Sequence, residues 1–569
     1  MSDVAKMGTA VMRSNDRYAS DKLSMFATMK KEREPWESVW KDIGNNVVPN
    51  RTKFDITNTD KGQRNDLEIY DGTPVAALNL YASGSQGYLL SSSYKWFSLR
   101  IPNERLMDVR DVRIWLSVVE QVIYGLIQRS NFYKEMYMLF KDGGSIGTAT
   151  IYSYFDVGTK RVWFNTLHPK EVFIAEDDNG EVNTVVRYFN MTAARMGARF
   201  KEDALDVDIQ RQAEDPEEFA TEHPVLHVVE QRSDYNPKSK SATEMKFKSC
   251  YIDIEHESVI RESGYPVNPY GVWRVEKASD EIYGRGPGWT ALADIKALYQ
   301  YAKTDIHAAQ LEVDPVLDVP AERLNDIKYV PGGRNSYEDT GREVKRMSPP
   351  LNLRAGLDRE ERKQRLIEKH FLVDFFMMMS QAQREMTATE IRQRMEEKSV
   401  MLGPHIAGLN QDVLDRIMDS IFSSAWDAGL IPSPPDVLKG GGRLEVDYQG
   451  PLAQAQRSFF KTEPYRAVMR DITGMVQALA PVAPGVAVGM LDNYNWDHIT
   501  REMAKGDGIP EEALMDEKVR DAIRQQRAQQ QAQAQQAERM AQMGKAVPGL
   551  NEKVEEGSVL EELGKQASA

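Results

Sequence analysis

The chain has a single cysteine, Cys250, among 569 residues. One thiol makes no internal disulfide, so no covalent staple supports the fold and no oxidising compartment is implied. Long hydrophobic runs are also missing. The longest candidate, around Phe371 to Met379, is cut by Asp374 and flanked by charges, well short of the roughly 20 apolar residues that span a bilayer. The first residues lack the basic-then-apolar layout of a secretory signal. These absences predict a soluble, cytoplasmic protein with no membrane partner. Positive charge is in deficit too: 72 Lys and Arg against 86 Asp and Glu leave a net charge of −14. Sequence-independent DNA binding works by neutralising phosphates with Lys and Arg, so this balance argues against a protein that grips DNA over a broad surface. It leaves room for one that surrounds DNA and lets it slide, because each retained phosphate contact would act as a brake. Charge alone does not separate that case from an enzyme with no nucleic-acid partner.

Catalytic and metal-binding patterns are scarce as well. The eight histidines (168, 223, 227, 256, 307, 370, 405 and 498) are scattered rather than set at ligand spacing, so they are expected to be structural or surface groups. Gly144-Ser-Ile-Gly147 is not the Gly-x-Ser-x-Gly of a nucleophile elbow. Gly284-Arg-Gly-Pro-Gly288 before a helix has some likeness to a phosphate-cradling loop. It lacks the Lys-Ser/Thr ending, and Pro287 removes one N–H donor, so a tight turn launching a helix is expected instead. Carboxylates are so abundant that no pair stands out. No enzyme activity, cofactor or metal is expected.

What is present is organisation. With roughly 100–200 residues per domain, the length allows several domains. Apolar residues at helical spacing predict a helix over 23–43, stopping before Pro49. Ile69-Tyr-Asp-Gly-Thr-Pro74 opens a second helix to about Leu90, with Thr73 as N-cap, Pro74 in the first turn and many small residues for close packing. A third runs from Trp115 to Leu126. After Gly147 strands are predicted at 148–155, 161–164, 171–174 and 182–188, with Asp178-Asn-Gly180 as a turn. A helical piece near 191–200 leads into an acidic segment ending at Glu222, and strands follow at 225–230, 246–254 and 271–275. The second half is mainly helical. Long helices are predicted from Gly288 to about Glu312 and from about Asp358 to Met379, each about 33–38 Å long, separated by a Pro- and Gly-rich extended excursion over 315–350. Thr387-Ala-Thr-Glu390 has the form of a capping box, opening a helix that continues to Trp426 and bends at Gly403-Pro404. The Gln/Ala-rich stretch from Asp516 to Met543 has helix propensity but little apolar surface, so it gains most from lying beside copies of itself. Composition predicts disorder over 544–569. Periodicity alone is satisfied by a helical hairpin carrying a polar surface loop, Ser380 to Met386.

The order and wording of several segments resemble the head-to-tail connecting (portal) proteins of podoviruses. They are Trp36 to Pro49 with Pro49-Asn-Arg51, Ile69-Tyr-Asp-Gly-Thr-Pro74, Tyr94-Lys-Trp-Phe-Ser-Leu99, Ser130-Asn-Phe132, Gly143-Gly-Ser-Ile-Gly147 and Val186-Arg-Tyr-Phe-Asn-Met191. Tyr283-Gly-Arg-Gly-Pro-Gly288 running into Ala291 to Lys296, and Arg384-Glu-Met-Thr-Ala-Thr-Glu-Ile391, are the most telling. The shared order covers residues 30–430; the last 130 residues carry no matching motif.

The resemblance implies a predominantly helical α+β portal fold that assembles, as about twelve copies, into a ring at one capsid vertex. Transferred to this chain, it places the wing at 1–281, the first stem helix at 282–312, the clip at 313–350 and the second stem helix at 351–379. It places the tunnel loop at 380–386, a long bent helix at 387–430, the crown at 431–515, a barrel helix at 516–545 and a tail at 546–569. Arg384, Gln381 and Gln383 would face double-stranded DNA in the channel, with local pairing of Arg384 to Glu385 or Glu390 as the plainer reading. Arg334, Arg342, Lys345 and Arg346 would make the clip basic for an acidic partner, the terminase large subunit or a tail adaptor or nozzle protein. Major capsid, scaffolding and internal core proteins are further implied partners. A terminase is disfavoured by the missing P-loop Lys. A scaffolding or other virion structural protein without a DNA channel is the remaining alternative, disfavoured by the many strands.

Overall fold

The computed structural model describes residues 2–49, 51, 54, 69–107, 109–236, 239, 241–313, 317–318, 345–346, 353–377, 407–438, 444–448, 463–479, 481–506, 514–515 and 517–546. It is α+β and predominantly helical. Two compact units make up the chain, Met1–Gln456 and Arg457–Ala569.

In the first unit, α1 spans Ser2–Val47, about twice the length that periodicity predicts. Helix-forming Ala, Met and Lys carry it where no apolar stripe marks it, and it ends ahead of Pro49 as expected. α2 is Thr73–Leu89. Its first free N–H, that of Thr73, is taken at 2.7 Å by the Asp71 carboxylate, so Asp71 rather than Thr73 supplies the cap; Pro74 does sit in the first turn. Strand β1 (Phe97–Arg100), the single turn α3 (Glu104–Met107), α4 (Arg110–Gln128) and α5 (Phe132–Ser145) follow.

Two antiparallel sheets form the β part. β2 (Thr148–Asp156) lies between β3 (Arg161–Leu167) and β9 (Tyr270–Arg274); β4 (Val172–Glu176), β5 (Val182–Thr192), β6 (Glu222–Gln231), β7 (Phe247–Asp253) and β8 (Ser258–Tyr265) make a five-stranded meander. β8 has no strand signature, because Arg261-Glu-Ser-Gly264 reads as loop; pairing along β7 decides it. The Asp178-Asn-Gly180 turn joins β4 to β5 as predicted, with Gly180 at φ +78° and the Asp177 carboxylate accepting from the N–H groups of Asn179 and Glu181. His227 bridges the sheets. Its Nδ1 meets the Tyr270 hydroxyl at 2.6 Å, its Nε2 meets Ser249 Oγ at 2.9 Å, and its ring stacks on Tyr251. Burial holds its pKa well below the ordinary histidine value, so it serves as a neutral pillar. Other described histidines also have polar partners: His168 Nδ1 accepts from the Lys170 N–H, His223 meets Glu255 and Gln212, His256 meets Asp253, and His370 meets Asp294.

β12 (Glu445–Tyr448) pairs with β1. Trp115 Nε1 donates to the Pro432 carbonyl at 2.9 Å, Leu438 is buried, and the Tyr448 hydroxyl donates to Asp415 Oδ1 at 2.6 Å. The described residues 431–438 and 444–448, read from the resemblance as the start of the crown, therefore pack into the first unit. The second unit contains helices Glu463–Leu479, Pro484–Leu491, Trp496–Gly506 and Glu517–Ala546. Asp497 receives both guanidinium arms of Arg524, at 2.6 and 2.7 Å, tying the last two together. The Gln/Ala-rich helix forms as expected; the tail beyond Ala546 lies outside the described residues.

One buried cation fastens α1 to the meander. Arg33 is 1% exposed and donates to the carbonyls of Pro169, Val172 and Lys170 at 2.7–3.0 Å. Its guanidinium lies 3.5 Å from the Phe173 ring centroid and pairs with Glu37. Arg33→Ala leaves these acceptors unpaired, at a cost of about 3 kcal/mol, which corresponds to roughly a hundredfold loss of hydrogen-exchange protection in α1. Unchanged protection would show that α1 is held elsewhere.

Candidate functional site

Helices α8 (Pro287–Val313) and α9 (Leu353–His370) form the hairpin that the sequence predicts. Lys363 Nζ lies 2.6 Å from Asp294 Oδ1, the Arg359 guanidinium 5.5 Å from the Tyr301 ring centroid, and a Cβ at Gly356 would stand 2.5 Å from the Asp305 carboxylate. As one partner advances along α8 the other retreats along α9, so the helices are antiparallel. Their 27 and 18 residues give lengths of about 40 and 27 Å. Between them β10 (Leu317–Asp318) pairs with β11 (Lys345–Arg346), opposing Leu317 to Arg346 and Asp318 to Lys345. This ladder draws the ends of the excursion together. Arg334 and Arg342 lie outside the described residues; Lys345 and Arg346 are placed by the backbone of β11 alone.

The hairpin is rooted where several of the resembling segments meet. Gly147 has φ +95°, and a Cβ there would stand 2.3 Å from the backbone carbon of Arg285. Only glycine permits both the conformation and the approach. The Gly284 N–H donates to Thr148 Oγ1 at 2.9 Å, Arg285 N to Glu276 O at 2.8 Å and Val275 N to Gly147 O at 2.9 Å. The N–H groups of Gly284 and Arg285 are thus spent on the protein's own acceptors, and the segment is the helix-launching turn that the sequence predicts. Tyr283 packs on Trp36 and Trp40, and the Arg285 guanidinium lies 5.4 Å from the ring centroids of both Trp36 and Trp289. From the Pro49-Asn-Arg51 segment, Arg51 Nη2 reaches Asp142 Oδ2 at 3.1 Å.

At the far end of α9 the structure corrects the sequence reading. The helix does not run unbroken towards Met379: α9 stops at His370, Leu372 has φ +56°, and helical backbone resumes over 373–377, with 378–379 outside the described residues. A left-handed leucine costs roughly 1–2 kcal/mol. Burial of Phe371, Phe375 and Phe376 offsets it. The Phe376 ring stacks on Tyr88, meets Tyr81 edge-on and rests on Gly84, where a Cβ would clash at 2.3 Å. The small residues of α2 thus serve the close packing read from the sequence, with the chain that leads into the 380–386 segment as the neighbour. Arg384, Gln381, Gln383 and the Thr387 capping box lie outside the described residues. The chain is described again from residue 407, through a π-helical turn at Asn410–Leu414 and a helix at Asp415–Asp427. Here Arg274 meets both Glu176 and Asp412, Lys277 meets Glu176, and Arg416 donates to Val182 O. Sequence reasoning missed this cluster, since its members stand about a hundred or more positions apart.

Charge is segregated. Residues 201–222, a lobe between β5 and β6, hold nine carboxylates and two cations, half of the chain's net charge of −14. Helices α8 and α9 together hold eight cations and seven carboxylates. The acidity that argued against DNA contact therefore lies largely off the hairpin.

A family model for bacteriophage head to tail connecting protein matches residues 19–515. The chain belongs to this family. A probable portal protein of Bordetella phage BPP-1 is 30% identical over 529 residues, covering 90% of this chain and 92% of its own. A portal protein of Salmonella phage epsilon15 is 26% identical over 533 residues, covering 92% and 93%. The family match extends well past residue 430, where the motifs fade. Head-to-tail connecting is a structural task, and among the described residues no group of ligating side chains is clustered as for a metal and no helix is long and apolar enough to cross a membrane.

Asp142 makes the root of the hairpin sensitive to pH. Burial pushes its carboxyl up to about 6 despite the neighbouring Arg51 and Lys141. The folded chain keeps this proton up to about pH 6, whereas the unfolded chain releases it near pH 4. Stability therefore falls as pH rises between those values, and the cost of the buried charge is complete above them. Asp142→Asn removes the effect. From about pH 4.5 to about pH 7.5 the variant should gain roughly 2–3 kcal/mol on the unsubstituted chain, read as the difference in thermal midpoint. A difference that does not change with pH would refute the assignment.

Proposed function

We propose that about twelve copies of this chain form the portal ring at a unique capsid vertex, through which double-stranded DNA is packaged, retained and ejected. The observation that carries the reading is the alignment, over 90% or more of this chain, with two phage portal proteins. The α8–α9 hairpin supports it, with a rigid root on the wing, a laddered excursion at one end and a clamped exit into residues 380–386 at the other. On this reading α8 and α9 are the stem, the excursion between β10 and β11 is the clip, and Glu517–Ala546 lies in a barrel of parallel copies. Negative-stain images of the purified full-length chain should show rings with a central hole. A monomer, or an oligomer with a plugged axis, would refute the reading.

Within the ring, twelve Arg384 side chains would stand around one lumen, where like charges concentrate potential far beyond a single exposed arginine. Gln381 and Gln383 would add neutral hydrogen bonds that break easily. Arg334, Arg342, Lys345 and Arg346 on the clip would meet an acidic surface of the terminase large subunit, and later of the tail adaptor or nozzle proteins. Capsid, scaffolding and internal core proteins would meet the wing and crown. Arg384→Ala particles should retain markedly less genome than particles with the native ring, and Arg342→Glu with Lys345→Glu should abolish packaging by blocking motor docking. Normal genome content in either case, measured as DNA per particle, removes the corresponding role.

A further inference from the structure

The two stem helices differ in how their exposed cations are used. On α8, Lys296 pairs with Asp42, and Lys303 lies over the Tyr70 ring, so both are engaged by the wing. On α9, Ile367 is fully buried between α2 and α8, where Gln364 also reaches Asp71 and Lys363 reaches Asp294. At 100° per residue, the line opposite Ile367 carries Asp358, Arg362, Arg365 and Lys369. All four are exposed. Arg365 pairs with Glu361 on the flank of this line, both mostly exposed at 74% and 61%, an arrangement that holds neither side chain firmly. No carboxylate partners Arg362 or Lys369 among the described residues. Three cations thus rise along the free face of α9, one per turn, towards the segment that leads to residue 380, and the single carboxylate on the line lies at its foot.

We propose that Arg362, Arg365 and Lys369 are a phosphate-contacting track for duplex DNA along the channel wall. The inference rests on the portal reading and adds the residues by which the stem, rather than the loop, meets the genome. Charge complementarity selects the occupant. The face is cationic in a chain of net charge −14, α9 is otherwise covered by α2 and α8, and it leads directly into the loop assigned to the lumen. Exposed, long and loosely paired side chains suit a contact that forms and breaks as DNA advances, since each phosphate neutralised is reversible and weakens with salt.

The test uses rings of the full-length chain and a short fluorescein-labelled duplex, titrated over a series of salt concentrations. Arg362→Gln/Arg365→Gln/Lys369→Gln rings should bind roughly tenfold more weakly at low salt, and the slope of log affinity against log salt should become shallower by about 1 or more. An unchanged slope in rings that show a central hole overturns this inference and leaves the portal reading standing; a native chain that forms no ring overturns both. If the triple variant does not assemble, Arg362→Gln alone is titrated, and a slope equal to the native one again overturns the proposal. Loss of rings in both variants would assign the face to a neighbouring copy and equally overturn it.

Discussion

The approach of two glycine-bearing turns, Gly143–Gly147 and Gly284–Gly288, is the constraint on which the rest of the molecule depends. They come within backbone contact, so α5 ends and α8 begins in one close-packed joint. Backbone packed on backbone leaves no rotamer freedom to absorb a shift, and interiors of this density transmit displacement rather than damp it. The direction in which α8 leaves the joint is therefore set by backbone packing. Around the joint, Trp36, Trp40, Tyr283 and Trp289 supply apolar area, while Arg51 and Asp142 supply a buried ion pair. Ionised Asp142 costs stability there, because desolvation outweighs its attraction to Arg51 and Lys141. The pair does make one register of the joint distinguishable from others.

From that joint outwards, the hairpin is held by different physics at each level. Polar contacts between α8 and α9 fix their relative register but remain partly exposed, as with Asp294 and Lys363, so each contributes modestly. The aromatic seat of Phe376 on Gly84 is apolar and buried, and burial of a phenylalanine is worth roughly 1.5–3 kcal/mol. Apolar burial thus seats the segment after α9 on α2, as it seats Ile367 of α9 among Ile295 and Leu298 of α8.

Much of this was legible in the sequence because it is local. Most helices followed from apolar spacing, α5 and the first half of α1 excepted; the β4–β5 turn followed from Asp178-Asn-Gly180, and the turn before α8 from Pro287 and its glycines. What escaped was long-range. β8 carries a loop-like composition and is a strand only because β7 offers it a ladder. The Asp71 cap and the Arg274–Glu176–Asp412 cluster join residues whose meeting no spacing encodes. The halt of α9 at Leu372 escaped for a related reason: leucine is a strong helix former, so local propensity argues for continuation, and only the placement of three phenylalanines relative to α2 overrides it. The motifs that resembled a known family were informative for a physical reason. Gly143–Gly147, Tyr283–Gly288, Trp36 and Arg51 are far apart in the chain and adjacent in space, so their joint presence reports the joint itself.

The distribution of charge follows the same division. A chain that must let duplex DNA pass has to avoid binding it everywhere, yet a uniformly acidic chain would also repel it from the channel. Here half of the net negative charge is carried by residues 201–222, packed through Leu205 and Ile209 against Met196, Phe200 and the five-stranded sheet, while α8 and α9 are close to neutral with cations on the exposed face of α9. With a Debye length of about 8 Å at physiological ionic strength, exposed charges act mainly on their own surroundings. The net charge of −14 and the proposed DNA contact of α9 are therefore compatible, because screening makes the placement of charge matter more than its sum.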